Sequence, residues 1–241
     1  LIQLSGLIYA QLGNASVVAS YLIGLQLIRA ISSFSQAPFY SKISVFATLY
    51  AKNELTTLQI LVKKGMRYAY IVYVLGVIAA GFLGPELMVL LNNKVAFPSP
   101  MLWGTLSLAL VFERFGAMHI QYYSLSNNII WHISNGISGL LMIILSIFLY
   151  PHFGVLAFAL SILLGYLCFY APYSSYHSYA FFGNQFFNFE KKVMLPALTL
   201  LLICMFVKKY ALILMKIFFI IISIFLNLKP LNASLRIQEE S

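Results

Sequence analysis

Four polar side chains interrupt the long apolar runs of this chain and are the first candidates for chemistry. Gln26 and Arg29 lie three residues apart in one run, and Glu113 and Arg114 are adjacent in another. If these runs cross a membrane, a charge inside them costs free energy and marks either a functional site or an ion pair. Residues three apart share a helix face, so Gln26 and Arg29 are predicted to line one surface.

Arg29 is of the residue type best suited to hold an anionic group. A guanidinium is planar and donates two parallel hydrogen bonds to a phosphate or carboxylate. We therefore predict that Arg29 and Gln26 form the cationic wall of a polar cavity that holds an anionic headgroup. Two alternatives remain open: a structural ion pair, and a long side chain that reaches back to the membrane interface.

Glu113 and Arg114 are expected to have separate partners. Adjacent residues on a helix project about 100° apart, so we expect these two not to face each other, and Arg29–Glu113 is one candidate pairing. Arg114 is the second candidate for headgroup binding. Glu113 is a candidate for proton coupling if burial removes its solvation, with a structural salt bridge as the alternative. His119 and His132 are expected to be interfacial hydrogen-bonding residues.

Enzyme motifs are absent from the sequence. The chain has no Asp, and its six Glu residues do not cluster. It contains no P-loop, no HExxH and no GxSxG motif. A Ser-His-Asp triad is therefore excluded, and a Glu version has no nucleophile elbow to support it. The two cysteines lack metal-ligand spacing. We expect a protein that is not an enzyme and that carries no cofactor and no metal.

The composition predicts a polytopic membrane protein. Of its 241 residues, 61% are hydrophobic and 9% are charged, whereas soluble domains carry about 25% charged residues. The net charge of +9 arises from 15 Lys and Arg against 6 Asp and Glu. Basic cytoplasmic loops explain this excess, and no basic cluster interleaved with stacking aromatics indicates nucleic-acid binding.

Apolar runs of about 20 residues predict membrane-spanning helices. The fold class expected is all-α, a transmembrane bundle of about seven or eight helices. A strongly basic, amphipathic loop at 41–67 is placed in the cytoplasm, with a surface helix at 55–62. A polar and aromatic loop is expected at 174–192, and a cytoplasmic tail at 229–241. The predicted helices are 1–12 (partial, with its start missing), 17–40, 68–91, 101–125, 130–150, 155–173, 193–207 and 211–228.

Several short segments of the chain form a characteristic set. They are the turn and helix entry from Gly13 to Tyr21, Leu27-Ile28-Arg29, the serine-rich helix end Ser32-Ser33-Phe34-Ser35, Pro38, the segment from Lys42 to Glu54, and Phe153-Gly154-Val155 after Pro151. These segments resemble the polysaccharide flippases of the multidrug/oligosaccharidyl-lipid/polysaccharide exporter superfamily. The spacing of the crossings over 1–179 is also similar, and it matches the second half of such a transporter.

The resemblance implies a function. The chain would be the C-terminal lobe of a two-lobed flippase in the bacterial inner membrane, with the N-terminal lobe missing. Such a protein moves undecaprenyl-pyrophosphate-linked oligosaccharides to the outer leaflet for O-antigen, lipopolysaccharide or capsule synthesis, beside other polysaccharide assembly proteins and membrane lipid. Arg29 matches the family's cavity-facing basic residue, and Arg114 is the second choice.

Two alternatives to an active flippase remain. One is an integral-membrane glycan polymerase or acyltransferase, which would need catalytic groups on a long external loop, and no predicted external loop is long. The other is a truncated, inactive transporter.

Overall fold

A computed structural model describes residues 15–92, 95–183 and 186–206 of the chain. Contacts divide the chain into two compact units, Leu1–Leu202 and Ile203–Ser241, and every side-chain contact described below lies within the first. Within the described residues there are helices and turns but no strand. The helices are α1 Ala15–Ser35, α2 Ala37–Tyr40, α3 Ile43–Ala51, α4 Leu55–Leu90, α5 Pro100–Tyr123, α6 Trp131–Phe153, α7 Leu156–Gly165, α8 Ala171–Phe182, α9 Phe186–Val193 and α10 Leu195–Phe206, with a 3₁₀ turn at Ser124–Ser126 and a π-helical turn at Tyr166–Tyr170.

Four helical segments in the described part of the chain are long and apolar enough to cross a membrane. They are Ser16–Ala51, Leu55–Leu90, Trp131–Phe153 and Leu156–Phe182. Even the shortest, with 23 residues, is about 35 Å long at 1.5 Å per residue, which exceeds a hydrocarbon core of about 30 Å. The prediction of an all-helical fold is confirmed for the described residues, and four of their helical segments have the length and apolarity that spanning a membrane requires. The count of seven or eight stays a prediction, and the segments predicted at 1–12, 211–228 and 229–241 lie outside the described residues.

Helix α5 is the centre of the bundle. It packs against α1, α4, α7 and α8, and sixteen of its 24 residues are buried. Its start is set by Ser99, whose Oγ accepts a hydrogen bond from the Leu102 N–H at 3.4 Å, and by Pro100 in the first turn. Because α5 is surrounded, its polar residues must find partners on neighbouring helices rather than in solvent.

The separate surface helix predicted at 55–62 is instead the beginning of α4. This helix runs without interruption for 36 residues, or about 54 Å. The buried positions Leu58, Val62 and Met66 continue into Ala69 and Tyr73 at helical spacing, so one apolar stripe passes through the expected boundary. The basic segment 41–67 is therefore largely helical, formed by α3 and the first turns of α4, rather than a loop.

The loop predicted at 174–192 is also wrong, because the chain there is mostly helical. Helix α8 continues to Phe182 and ends at Gly183, whose φ of +66° favours glycine. Ser174 and Ser178 made the sequence look polar, but both are fully buried. The Ser174 hydroxyl donates to the Tyr170 carbonyl one turn earlier at 2.5 Å. A serine can satisfy itself within a helix in this way, so serines do not signal a loop here.

The close approach of α5 to the π-helical turn depends on Gly116. A Cβ built at Gly116 would lie 2.4 Å from Cδ1 of the Tyr170 ring and 3.3 Å from the Tyr170 carbonyl oxygen. The backbone oxygen cannot move aside without shifting the π-helical turn. The absence of a side chain at Gly116 thus brings Tyr170 directly against α5, two residues after Arg114.

We expect Gly116→Ala to destabilise the protein. Overpacking costs about 1–3 kcal/mol, which exceeds the gain in helix propensity of at most about 1 kcal/mol. The free energy of unfolding in detergent micelles measures the effect. Gly136→Ala is the matched control, because a Cβ at Gly136 on α6 meets no atom within 4 Å and should leave stability unchanged or slightly raised. Equal effects of the two substitutions would contradict the packing argument.

Candidate functional site

Arg114 makes four side-chain hydrogen bonds, and three of them join α5 to the end of α1 and the residue just beyond it. Its Nε and Nη2 donate to Ser32 Oγ at 3.2 and 2.8 Å. Its Nη1 donates to Gln36 Oε1 at 2.8 Å, and Nη2 also donates to Glu113 Oε2 at 3.0 Å. With the residue 5% exposed, the guanidinium has exchanged water for protein partners.

Glu113 pairs directly with its neighbour Arg114, so the expectation that the two have separate partners is wrong. The two Cβ atoms diverge on the helix, but both side chains are long enough to bend toward α1, where they meet at 3.0 Å. The Ser32 hydroxyl lies between them and donates to Glu113 Oε2 at 3.4 Å. Ser32 and Gln36 were the partners that sequence reasoning missed. Their positions three and seven residues after Arg29 continue the same helical stripe, which was the available signal.

Arg29 lies on α1, about one turn before Ser32, and is half-buried. It is within electrostatic range of Glu113, but the proposed Arg29–Glu113 ion pair does not form. Arg29 makes no hydrogen bond or ion pair with another described residue. The structure thus brings Glu113 and Arg114 together and places Arg29 near them, with its guanidinium not hydrogen-bonded to any described residue.

Part of the uncovered face of α1 is polar. Gln26 and Ser33 are exposed and Arg29 between them is half-buried, so the polar positions recur over two helical turns. The opposite face is packed into the bundle through Tyr21, Ile28 and other apolar residues. A segment long and apolar enough to cross a membrane therefore presents a cation, an amide and a hydroxyl on the side that the described bundle leaves open.

Four tyrosines from three segments lie near the ion pair. They are within electrostatic range of Glu113 and Arg114, and they are Tyr40 on α2, Tyr73 on α4, and Tyr166 and Tyr170 in the π-helical turn. The Tyr73 hydroxyl donates to the Ser107 carbonyl at 2.8 Å, which anchors α4 to α5 near the site. The sequence contains 16 tyrosines, and no spacing rule distinguishes these four, because they converge only when α2, α4, α5 and the π-helical turn pack together.

A second polar cluster lies further along α5 at His119. Ser178 Oγ is 3.1 Å from His119 Nδ1, and Glu190 Oε1 is 3.5 Å from Nε2. The Tyr179 hydroxyl is 3.4 Å from Nε2 and donates a hydrogen bond to Glu190 Oε1. His119 is fully buried and is hydrogen-bonded, as expected. Its position relative to a membrane interface stays a prediction. The row of Ser178, His119 and Glu190 has the residue types of a hydrolytic triad, but the serine and histidine are both 0% exposed, and no substrate reaches them in this arrangement.

No metal centre is formed by the residues that the structure describes, since they include no group of three or more His, Cys, Asp or Glu side chains that could hold an ion. No family model, curated protein or solved structure matches the chain. The functional argument therefore rests on the chain's own residues and on their arrangement.

We expect Arg114→Leu to destabilise the bundle by about 3–5 kcal/mol, because it leaves a largely buried carboxylate without its cation. The free energy of unfolding in detergent micelles is the measurement. Arg29→Leu is the matched control, since it makes the same chemical change at a residue with no hydrogen bond to the described bundle. It should change stability little. If the two variants lose stability equally, the claim that Arg114 stabilises the bundle and Arg29 does not is wrong.

Proposed function

We propose that this chain is the C-terminal lobe of a membrane transporter that flips undecaprenyl-pyrophosphate-linked oligosaccharides across the bacterial inner membrane. The observation that carries the proposal is the polar, uncovered face of α1 formed by Gln26, Arg29 and Ser33. The resemblance described from the sequence supplies the substrate class. The N-terminal lobe would close the other side of the cavity.

The physical argument starts from what this face of α1 can contact. A cation held against hydrocarbon costs at least about 2.5–3.5 kcal/mol near the bilayer centre, so a lipid-facing Arg29 is unfavourable. Water in a cavity, or an anionic group within it, removes that cost. A pyrophosphate headgroup supplies oxygens for the bidentate hydrogen bonds of a guanidinium. Its lipid tail stays in the bilayer while the headgroup crosses.

The two arginines divide the work in this proposal. Arg114 is hydrogen-bonded to Ser32, Gln36 and Glu113, so its role is to hold α1 and α5 together behind the cavity wall. Arg29 has its donors available and is the headgroup-binding residue, with Gln26 beside it. The two arginines therefore have different roles in this proposal, although a count of the charges in the apolar runs does not distinguish them.

Glu113 is the candidate for proton coupling within this function. It lies in the electrostatic range of both Arg29 and Arg114, so its charge competes with an anionic headgroup for the arginines. Protonation of Glu113 would remove that competition and favour substrate binding, and deprotonation would favour release. Such a link lets a proton gradient drive alternating access between the two lobes.

One observation weighs against the alternative of a glycan polymerase or acyltransferase. The row of Ser178, His119 and Glu190 has the residue types of a hydrolytic triad, but its serine and histidine are fully buried and closed to substrate. A truncated, inactive transporter would keep the same polar face but would not transport, so activity of the chain together with an N-terminal lobe separates these cases.

We expect cysteines at Gln26 and Ser33 to react with a charged, membrane-impermeant thiol reagent in lipid vesicles that contain the chain together with its N-terminal lobe, because the proposal places them in a water-filled cavity between the two lobes. Cysteines at Ile147 and Phe148 on α6 are the matched controls, since these apolar residues are 67% and 71% exposed and should face lipid. Cys168 and Cys204 are replaced by serine beforehand. Protection of all four positions alike would rule out a polar cavity at α1.

We expect Arg29→Ala to abolish export of lipid-linked oligosaccharide when the chain is expressed with its N-terminal lobe in cells. Membrane insertion and protein level should remain normal, because Arg29 has no structural hydrogen bonds in the described bundle. Surface polysaccharide is the readout, and Arg29→Lys should retain part of the activity as a point charge without the planar fork. Unchanged export in the alanine variant would remove the headgroup role.

A further inference from the structure

One end of the bundle gathers segments that lie far apart in sequence. At the start of α4, Gln59 Nε2 donates a hydrogen bond to the Phe182 carbonyl at the end of α8, at 2.9 Å. The Phe182 ring stacks on Tyr122 of α5 with the ring centroids 3.9 Å apart, and it lies 6.1 Å from the Tyr50 ring of α3. Helix α9 packs against α4. The end of α3, the start of α4, the end of α8 and helix α9 therefore adjoin here.

The exposed charges at this end are mostly positive. Four lysines are exposed, and together we call them the basic surface: Lys52 directly after α3, Lys64 on α4, and Lys191 and Lys192 on α9. Two further cations of α4, Lys63 and Arg67, are half-buried. The acids that the described residues add to this end are Glu54, exposed just before α4, and Glu190 on α9.

Glu190 points away from the basic surface. Its Oε1 lies 3.5 Å from His119 Nε2 and accepts a hydrogen bond from the Tyr179 hydroxyl, and its side chain is 14% exposed. Lys191 and Lys192 follow it at about 100° and 200° around the helix and are exposed. Helix α9 therefore turns its acid into the bundle and its cations outward.

Two packed helices that both carry cations attract an anion between and around them. Helix α4 carries Lys63, Lys64 and Arg67, and α9, which packs against it, carries Lys191 and Lys192. Like charges on neighbouring helices repel each other, and a bound anion offsets that repulsion. This end of the bundle is thus complementary in charge to a negatively charged partner.

The length of α4 favours a position of its first turns at the level of lipid headgroups. The helix has 36 residues and is apolar enough to cross a membrane. Its length of about 54 Å exceeds a hydrocarbon core of about 30 Å. One end must therefore extend beyond the hydrocarbon, and the end that carries cations is the one suited to do so.

Apolar side chains border the lysines of this surface. Ile60 and Tyr68 on α4 are 56% and 36% exposed, and Phe181 at the end of α8 is 45% exposed. Lys64 lies between Ile60 and Tyr68 at four-residue intervals, so the three share one stripe of the helix. A soluble polyanion supplies negative charge but leaves these apolar side chains in water. A bilayer surface supplies both headgroups and acyl chains.

We propose that the basic surface binds the headgroups of anionic phospholipids, across the start of α4 and helix α9. The lipid phosphates accept charge-assisted hydrogen bonds from the lysine ammonium groups. The adjoining acyl chains lie against Ile60 and Tyr68. This interaction concerns the surface that faces lipid and does not depend on the transport activity proposed above.

The test measures the lipid preference of the whole chain reconstituted in phosphatidylcholine vesicles. Spin-labelled phosphatidylglycerol and spin-labelled phosphatidylcholine with the same acyl chains are compared, and the fraction of each label that the protein immobilises gives their relative affinity. We expect phosphatidylglycerol to be preferred at low salt by about fivefold or more, which is the contribution of one basic residue near an anionic surface. High salt should reduce the preference, because exposed charges are screened.

Substitutions that change only the charge should change the preference in a defined direction. Lys64→Gln combined with Lys191→Gln and Lys192→Gln should bring the relative affinity close to one. The matched control replaces the same three lysines by arginine, which keeps the charge and should keep the preference. Glu54→Gln removes an exposed acid from this end and should raise the preference. Circular dichroism confirms that each variant remains helical.

Equal immobilisation of the two lipids by the wild-type chain at low salt would overturn the proposal. A preference that persists in the triple glutamine variant would also overturn it, because other cations would then bind the lipid. If that variant fails to insert, Glu54→Gln still decides, since an unchanged preference there contradicts a site at this end. Soluble polyphosphate is added as a competitor, and complete displacement of the lipid at equal phosphate concentration would assign the surface to a soluble anion instead.

Discussion

A buried guanidinium is the constraint on which the rest of this bundle depends. Arg114 lies on the central helix α5, is 5% exposed, and must exchange its water for protein acceptors. It obtains them from Ser32 and Gln36 on and just beyond α1 and from Glu113 on its own helix. These bonds require the end of α1 to lie against the middle of α5. The register of the two helices is therefore set by polar contacts as well as by apolar packing.

Once α1 is held in that register, three of its other polar residues remain outside the contact with α5. Gln26, Arg29 and Ser33 lie on the face that the described bundle does not cover. The same interaction that satisfies one arginine thus leaves the other available. Arg114 is hydrogen-bonded within the bundle, whereas Arg29 has no such bond to the described residues. This difference is the physical basis of the transporter proposal, because Arg29 can bind a ligand without breaking a contact that stabilises the bundle.

Helix α5 carries a second polar centre beyond the first. His119 is five residues after Arg114, or about 7.5 Å along the helix axis, and it connects α8 and α9 as Arg114 connects α1. Gly116 lies between the two centres and lets the Tyr170 backbone and ring approach α5. The central helix therefore combines two hydrogen-bonded polar clusters with one close backbone contact, and each ties it to a different neighbour.

The sequence by itself determined that the chain is helical and suited to a membrane, because runs of about 20 apolar residues admit few other structures. It also singled out Arg29, Glu113 and Arg114, since charges are conspicuous in such runs. It could not show that 55–62 begins the long helix α4 rather than forming a separate surface helix, because amphipathic periodicity is the same in both. It could not show that 174–182 is helical, because serines are typical of loops and can also be buried in a packed helix.

Only the tertiary structure decided how the polar residues are used. The pairing of Glu113 with Arg114 depends on the bending of two long side chains toward Ser32, which the angle between adjacent Cβ atoms does not reveal. The tyrosines around them and the partners of His119 come from helices far apart in sequence. Such contacts follow from packing between helices, whereas sequence spacing reports only which residues share a face on one helix.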